Sequence, residues 1–348
     1  MRVAILHNLP AGDRPDEADT LVQVRAVRKA LFDLDHEPMG VAFSLDLDDA
    51  RGTLAAMRPD CVFNLVEDLG GSSRLAHLGP ALLEHMGLAF TGCGSEAMLL
   101  ATSKLACKRV LTAAGLPTPP WSEGQSGGPE GRPEEASFAP GRYILKSVHE
   151  HASLGLDETS VVTAASPADL ARPLARRRER HGGHWFAEGY VDGREFNIAV
   201  IEGPGGPEVL PHAEIVFRGF SRERLRIVGY KAKWDEDSFE YENTQRRFDF
   251  PAKDADLLAR LTEATLACWR AFGLAGYARV DFRVSEDGRP WIIDVNANPC
   301  LSPDAGLAAA AERAGLDYTA LVRRVLDMGA AGARDGRPVQ SAKRCASA

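Results

Sequence analysis

Apolar and polar positions follow two different periods along the N-terminal third of the chain. Short apolar runs of strand length predict buried strands at 3–6, 61–66 and 88–92. Between them, apolar residues recur three and four positions apart, which predicts helices at 20–34 and 80–86. Alternating strands and helices are typical of a parallel sheet, so residues 1–102 are predicted to form an α/β domain. No Gly-x-Gly-x-x-Gly sequence is present there, so nothing argues for a dinucleotide.

The remaining pattern predicts two further domains and a tail. A helix is predicted at 103–114, and residues 122–141 are rich in Gly, Pro, Ser and Glu, which is typical of a surface loop. The later elements are predicted as strands 143–148, 159–163, 196–202, 209–216, 226–233, 277–284 and 291–295 and helices 169–180 and 255–272, followed by a helix pair. The predicted domain bounds are 103–186 for a central domain, 187–328 for a C-terminal domain and 329–348 for a disordered tail.

Composition and charge narrow the classes of function. The 348 residues include 49 acidic and 41 basic side chains, and the net charge of −8 argues against a general binder of nucleic acid or anionic membranes. No apolar run reaches the length of a membrane span, and no secretory signal is expected. The six cysteines are scattered without a Cys-x-x-Cys pair, so we expect a reducing cytoplasm instead of a disulfide framework.

The strongest chemical signal is the strand pair 277–284 and 291–295. Because side chains alternate faces along a strand, Arg279 and Asp281 share one face, and Asp294 and Asn296 share a face of the partner strand. A short turn brings these faces together, and two carboxylates with an amide oxygen are what Mg²⁺ prefers. Arg279 adds a fixed positive charge for an anionic transition state. An amphipathic hairpin with one wet face is the weaker interpretation.

Two other features point toward a phosphate-bearing ligand. Lys146 ends a predicted strand, where a lysine can act as a point charge for a phosphate, and Lys104 and Lys233 are further candidates. Each lysine alone is more often a solvated surface residue, so only the set is informative. Glu188 and Glu195 flank a polar turn between two predicted strands, where backbone groups can pair with a purine edge and a carboxylate can accept from ribose hydroxyls. A plain polar turn explains that segment equally well.

In their order along the chain, these residues resemble the ATP-grasp superfamily, most closely its D-alanine–D-alanine ligase branch. The resemblance extends over about residues 3–328 and rests on an ordered set of short motifs. The set is Phe90-Thr91-Gly92, Lys104, Ala114-Gly115-Leu116-Pro117, Ile144-Leu145-Lys146, Glu188, Glu195, Lys233, Arg279-Val280-Asp281 and Asp294-Val295-Asn296-Ala297-Asn298-Pro299. It implies an α/β (α+β) ATP-grasp fold, in which a Rossmann-like N-terminal parallel sheet precedes two ATP-grasp subdomains that hold ATP between antiparallel sheets.

The resemblance also implies a reaction and a set of roles. A carboxylate would be activated by ATP as an acyl-phosphate, and an amine would then attack it to give an amide, ADP and phosphate. Arg279 and Lys233 would be catalytic, with Lys233 reaching the γ-phosphate. The implied ATP contacts are Lys104, Lys146, Ser153, Glu188, Tyr190, Val191, Glu195 and Lys233, and the implied ligands of two Mg²⁺ ions, for which Mn²⁺ is an alternative, are Asp281, Asp294 and Asn296.

The chain departs from the family pattern mainly where the family binds amino acids. The phosphate loop reads His151-Ala152-Ser153-Leu154-Gly155, and Ala152 and Trp234 stand where the family has a serine and a tyrosine that share hydrogen bonds with a glutamate. His7-Asn8-Leu9-Pro10 replaces an early Gly-Gly-x-Ser-x-Glu motif of the family, and Asp16 and Glu17 are the nearest carboxylates. Cys300 and Ala305 replace a glycine and a serine, so the ATP half is kept and the amino-acid half is altered.

The remaining substrate candidates carry alternatives. Glu67 is expected to bind a substrate ammonium, because it follows a predicted strand at the usual ligand crevice of an α/β sheet, although a plain loop carboxylate is about equally compatible. His149 and His151 could contact phosphate or substrate, or simply be exposed loop residues. The resemblance favours small amino-acid or peptide substrates, no nucleic acid or membrane partner, and a homodimer. Two alternatives are a ligase of a specialised pathway that joins a different pair, and a nucleotide-binding regulatory module without ligase activity.

Overall fold

The computed structural model describes residues 1–9, 15–124, 138–150, 153, 155–221 and 224–332, with the side chains of 15–18 excepted. Its strands form three sheets, of three, four and six strands. None of the helices in these described ranges is both long and apolar enough to cross a membrane.

The N-terminal sheet is parallel, with strand order β2-β1-β3. Its elements are β1 (Arg2–Asn8), α1 (Pro15–Asp33), β2 (Glu37–Phe43), α2 (Leu47–Met57), β3 (Cys61–Leu65) and α3 (Leu78–Met86). The predicted strands 3–6 and 61–66 and the two predicted helices are confirmed. The predicted strand 88–92 is wrong as a regular strand, because it pairs with β3 only through a single bridge between Phe90 and Val62. The prediction lacks β2, whose Pro38 and Gly40 are typical of a turn.

The four-stranded sheet is antiparallel, with order β4-β7-β5-β6. Its elements, with the helices that precede and cover it, are α4 (Ser95–Thr102), α5 (Lys104–Ala113), β4 (Trp121–Ser122), β5 (Gly141–Ser147), β6 (Val161–Ala164), α6 (Ala168–His181) and β7 (Trp185–Gly189). Helix α6 buries Leu170 and Leu174 against the sheet. Arg177 of its basic run is also buried, and it donates to the Gly155 carbonyl at 2.7 Å and to Asp157 at 3.0 Å.

The six-stranded sheet has the order β11-β10-β8-β12-β13, with β9 paired to β8. Its strands and the helices around them are β8 (Arg194–Gly203), β9 (Gly206–Val209), β10 (Ala213–Phe217), α7 (Tyr230–Trp234), α8 (Phe239–Glu242), β11 (Thr244–Arg247), α9 (Ala255–Phe272), β12 (Tyr277–Val284), β13 (Pro290–Asn296), α10 (Gly306–Arg313) and α11 (Tyr318–Ala331). The predicted helix 255–272 and the predicted strand pair at 277–295 are confirmed.

Two predicted strands of this region are wrong. The stretch 209–216 divides into β9 and β10 around Pro211, which has no N–H to give to a ladder. The stretch 226–233 is irregular up to Gly229 and then forms the short helix α7. Gly229 packs so tightly that a Cβ there would lie 2.7 Å from the Leu156 carbonyl oxygen. Contact with another loop therefore overrides the strand-like composition of this segment.

Hydrophobic clusters cross the predicted domain bounds. One cluster joins Val3 and Phe63 of the parallel sheet to Ile201 of β8 and Leu326 of α11. A second includes Cys107 of α5, which packs with strands of the six-stranded sheet. The domain bounds stay a prediction, and α11 continues to Ala331, past the predicted start of the tail at residue 329. Residues 333–348 lie outside the described part of the chain.

The closing helix α11 should contribute substantially to stability. Leu326 is fully buried in the cluster that joins the two sheets. Leu326→Ala is expected to lower the free energy of unfolding by about 2–5 kcal/mol, because it leaves a cavity in a packed core. Denaturant unfolding measures this, with the exposed Arg323→Ala on the same helix as control. Equal effects of both substitutions would contradict the packing described above.

Candidate active site

A cavity of about 690 Å³ lies where the two antiparallel sheets face each other beside the end of the parallel sheet. It brings together nearly every residue that the sequence singles out. These are Glu67, Lys104, Lys146, Ser153, Glu188, Tyr190, Val191, Glu195, Lys233, Arg279, Asp281, Asp294, Asn296, Cys300 and Ala305. The side chain of Asp16 and all of His151 lie outside the described residues, and His149 is not among the described residues that line the cavity.

The pairing of β12 with β13 builds the acidic wall of this cavity. Arg279 lies opposite Asn296, and Asp281 lies opposite Asp294, so the predicted convergence is present. The guanidinium of Arg279 binds both oxygens of Asp281, from Nε at 2.7 Å and from Nη2 at 2.9 Å. Asn197 of β8 donates to the same carboxylate at 2.9 Å. Burial opposes the positive charge of Arg279, but Asp281 raises its pKa above the ordinary value, so the group stays charged.

Asp294 provides the test of whether this wall fits a cation. Its Oδ1 atom is buried and accepts no hydrogen bond from the described residues. A buried carboxylate oxygen without a donor is costly unless a cation binds it. Asn296 adds an amide oxygen, which accepts from the Asn298 N–H at 3.0 Å. Within the described ranges no cluster of three or more His, Cys, Asp and Glu forms a metal site, so this mixed set of Asp281, Asp294 and Asn296 is the candidate for a hard cation.

Three lysines line the cavity from three different elements. Lys104 is the first residue of α5 and donates to the Glu150 carbonyl at 2.8 Å. Lys146 lies on β5. Lys233 lies on helix α7, so the strand predicted for it is wrong. Burial lowers the pKa of Lys104 and of Lys233, and for Lys233 the nearby Arg279 lowers it further. An anion bound among these groups would offset both effects, as expected for a phosphate site.

Glu188 forms ion pairs with two lysines, and the sequence analysis missed one of them, Lys108. Its two carboxylate oxygens form ion pairs with Lys108 of α5 and with Lys146. Burial opposes ionisation of Glu188, but the two lysines hold its pKa below the ordinary value. Lys108 lies one helical turn after Lys104, a spacing that places both on one side of α5 and could have identified it.

The segment after β7 supplies backbone groups next to these charges. The Tyr190 N–H donates to the Arg142 carbonyl at 2.8 Å, so it is already used, and the Arg142 guanidinium lies 4.6 Å from the Tyr190 ring centroid. The Val191 N–H donates to no backbone oxygen of the described residues. Glu195 pairs with Arg283 at 3.2 Å, yet burial dominates and raises the pKa of Glu195.

Ser153 joins the phosphate loop to the segment that carries Lys233. Its hydroxyl donates to the Val228 carbonyl at 2.7 Å, and its backbone is left-handed, with φ of 61°. The Tyr230 N–H reaches the Leu156 carbonyl at 3.3 Å. Two segments distant in sequence therefore close one side of the cavity together. Trp234 also lines the cavity, whereas Ala152 lies outside the described residues.

The opposite end of the cavity is acidic. Glu67 follows β3, its N–H donates to Asn8 Oδ1 at 3.2 Å, and its carboxylate accepts from Gln23 at 2.7 Å. Asp19 lines the same end and was missed by the sequence analysis, which considered the earlier Asp16. The place of Asp19 at the cavity depends on tertiary packing, which short-range pattern does not reveal.

Asp19 organises the segment in which the chain departs from the family pattern. It accepts from the Ser302 hydroxyl at 2.6 Å and from the Cys300 thiol at 3.0 Å. Burial, together with Glu67 and Asp19, raises the pKa of the Cys300 thiol well above its ordinary value. Cys300 is therefore a neutral hydrogen-bond donor and a poor nucleophile. Ala305, the N-cap residue that precedes α10, has no side-chain hydroxyl to offer to a substrate carboxylate.

A cavity lined by buried lysines and an acidic hairpin between two antiparallel sheets defines an ATP-grasp enzyme, an ATP-dependent ligase that forms carbon–nitrogen bonds. The family described as the D-ala D-ala ligase C-terminus matches residues 110–327, more than half of the chain. The chain belongs to this family.

Relatives match over almost the whole length. The D-alanine–D-alanine ligase of Gloeobacter violaceus is 29% identical over 328 residues, which cover 94% of this chain and 99% of the relative. An uncharacterized protein, y4sG, of Sinorhizobium fredii is 29% identical over 268 residues, 77% of this chain and 74% of that protein. The crystal structure of D-alanine–D-alanine ligase from Bacillus anthracis complexed with ATP has a TM-score of 0.69 at 19% identity, covering 96% of this chain and 99% of that one. The predicted ATP-grasp fold is confirmed.

The orphaned oxygen of Asp294 leads to a test of cation binding. Asp294→Asn should weaken Mn²⁺ binding in the presence of ADP by at least the roughly 10-fold loss that follows when a supporting group of a metal site is removed. Electron paramagnetic resonance of free Mn²⁺ measures this binding directly. Asp304→Asn, an exposed aspartate at the cavity, is the matched control. Unchanged Mn²⁺ binding in Asp294→Asn would remove this residue from the metal site.

Proposed function

We propose that this ligase uses Mg²⁺ and ATP to join the carboxylate of one small amino acid to the amine of another, with D-alanine as the first substrate to test. The observation that carries the proposal is the single cavity in which Lys104, Lys146 and Lys233 face the Arg279–Asp281–Asp294–Asn296 hairpin. Family membership does not specify the acyl donor or the amine acceptor, and either one can be a molecule other than D-alanine. It does weigh against a regulatory module without ligase activity, as does an intact hairpin.

The first step is phosphoryl transfer. A carboxylate oxygen of the donor attacks the γ-phosphorus of ATP, the bond from that phosphorus to the bridging oxygen breaks, and ADP leaves with an acyl-phosphate formed. Lys104, Lys146 and Lys233 lie where they can neutralise phosphate charge, and the positive charge of Arg279 acts on Lys233. Glu188 and the Val191 backbone would accept from and donate to the adenine edge, and Glu195 would accept from the ribose hydroxyls. Ser153 would hold the loop over the phosphates.

The second step is acyl transfer. The acceptor amine attacks the acyl carbon as its free base, the bond from carbon to the phosphate oxygen breaks, and phosphate leaves while the amine loses its proton. Arg279 would stabilise the tetrahedral species, because it is permanently charged and fixed by Asp281. Glu67 would bind the ammonium of an amino-acid substrate at the acidic end of the cavity.

Asp281, Asp294 and Asn296 would hold two Mg²⁺ ions, with Mn²⁺ as an alternative. When bound, the ions would neutralise charge on the transferred phosphoryl group. The donor set fits them, since it combines two carboxylates with an amide oxygen and includes a buried oxygen without a described partner. Asp281 would share its carboxylate between Arg279 and an ion, which keeps the guanidinium close to the reacting phosphate.

A second candidate is a ligase that joins a different pair in a specialised pathway. The segment around Cys300, Ser302 and Ala305 favours it, because Ser302 and Cys300 are turned toward Asp19 and Ala305 offers no hydroxyl. A substrate bound there would lie near the Asp19 carboxylate and would find no hydroxyl at position 305. The proposal also includes a cytoplasmic location and a homodimeric assembly.

The substrate pair can be determined directly. Purified protein with Mg²⁺ and ATP should release ADP and phosphate when supplied with D-alanine, and mass spectrometry should detect the dipeptide. The panel includes other D- and L-amino acids and small hydroxy acids, singly and in pairs. Turnover with another pair alone would support the second candidate. Nucleotide binding without phosphate release across the whole panel would contradict ligase activity.

Arg279 separates binding from chemistry. Arg279→Ala should lower turnover by about 10²–10³-fold, because a fixed donor to the transition state is lost. The affinity for ATP, measured by calorimetry, should change little. Arg279 pairs with Asp281, and the contacts to the ATP phosphates are assigned to Lys104, Lys146 and Lys233. The exposed Arg323→Ala serves as control. A near-normal rate in Arg279→Ala would rule out its assigned role.

A further inference from the structure

A buried cluster of two cations and one anion lies at the end of the cavity that is proposed to bind the nucleotide. The side chains of Lys108 and Glu188 are 3% and 2% exposed, and that of Lys146 is 11% exposed. Each lysine pairs with a different oxygen of the Glu188 carboxylate. The cluster therefore carries one more positive charge than Glu188 needs for compensation.

The two lysines differ in their access to the cavity. Lys146 and Glu188 line it, whereas Lys108 is not among the described residues that do. Lys108 is held from behind, because its ammonium also donates to the Thr118 hydroxyl at 2.6 Å. Thr118 in turn donates to the Ile292 carbonyl of β13 at 2.9 Å. Lys108 is thus fixed in the interior, and Lys146 is the lysine placed to meet a ligand.

This difference matters because Lys146 has a single positive charge to divide between two anionic partners. In the structure its ammonium binds Glu188, while its proposed role is to contact a phosphate of ATP. If Lys146 were the sole counter-ion, turning it toward a phosphate would leave a buried carboxylate uncompensated, which is strongly unfavourable. With Lys108 in place, Glu188 keeps an ion pair whichever way Lys146 points.

We propose that Lys108 is a positioning residue that acts as the permanent counter-ion of Glu188 and thereby releases Lys146 to bind the phosphates of the nucleotide. The role deepens the proposed function, on which it rests. Lys108 touches neither substrate nor the reacting atoms. It lowers the cost of moving Lys146, and so contributes to affinity for the phosphate part of the ligand and not for its base. Burial lowers the pKa of Lys108 while Glu188 opposes that change, in keeping with a buried pair.

The test compares Mg²⁺-ADP with adenosine, which has the same base and ribose and no phosphate. Calorimetry of the full chain measures both affinities. Lys108→Met should weaken ADP binding by about 10-fold, a typical coupling between contacting charges, and should change adenosine binding much less. Lys253→Met, at an exposed lysine far from this cluster in sequence, is the matched control and should bind both ligands as the unaltered protein does.

A second substitution distinguishes positioning from a general structural role. Glu188→Gln removes the charge that holds Lys146 and keeps an oxygen that can accept from adenine. The double variant K108M/E188Q should therefore bind ADP about as well as E188Q alone, so that loss of Lys108 has no further effect. If Lys108→Met instead damaged the fold, it would weaken ADP binding with or without the E188Q substitution. If K108M fails to fold, Thr118→Val, which deletes the hydroxyl that accepts from Lys108, should give the same selective loss at smaller size.

The outcomes separate this inference from the function on which it rests. Equal losses for ADP and adenosine in K108M, no loss for either, or weaker ADP binding by K108M/E188Q than by E188Q alone would each overturn the role of Lys108 while leaving the ligase proposal intact. An unaltered protein that binds neither ADP nor ATP would overturn both.

Discussion

The register of β12 against β13 is the constraint on which the rest of the site depends. It sets Arg279 opposite Asn296 and Asp281 opposite Asp294, so one polar face contains the guanidinium, both carboxylates and the amide. A shift of β13 by one residue would turn Asp294 and Asn296 away from Arg279 and Asp281 and place the buried Val295 on the polar face instead. Strand β8 fixes the other edge of β12 and adds Asn197 to the same carboxylate. Core packing and site geometry are therefore two consequences of one pairing.

The local part of this arrangement is readable from sequence. Alternation along 277–284 and 291–295 predicts which side chains share a face, and the ordered lysines and glutamates identify the ATP-grasp resemblance that the structure confirms. Both inferences use short-range information, since a strand has period 2 and a motif keeps its order. The hydrophobic runs of β1 and β3 are predicted for the same reason.

What the sequence analysis missed depends on contacts between distant segments. Lys108 and Asp19 look like ordinary helical charges until tertiary packing places them beside Glu188 and Cys300. The segment 226–233 has strand-like composition, yet the carbonyl of Leu156 leaves room only for Gly229, and the chain turns into a helix. Position 305 illustrates the opposite case, because the absence of a hydroxyl is evident from sequence while its consequence for a substrate depends on the fold.

Helix α11, the last helix among the described residues, packs against the first sheet. Leu321, Val325 and Leu326 of α11 share one core with Val3, Ile5 and Phe63, residues at the far end of the chain. During synthesis from the N-terminus, the parallel sheet emerges long before the helix that covers it. Its apolar face consequently lacks this cover until residues 318–331 have been synthesised. Packing of this face against α11 can therefore be completed only after that helix has been synthesised.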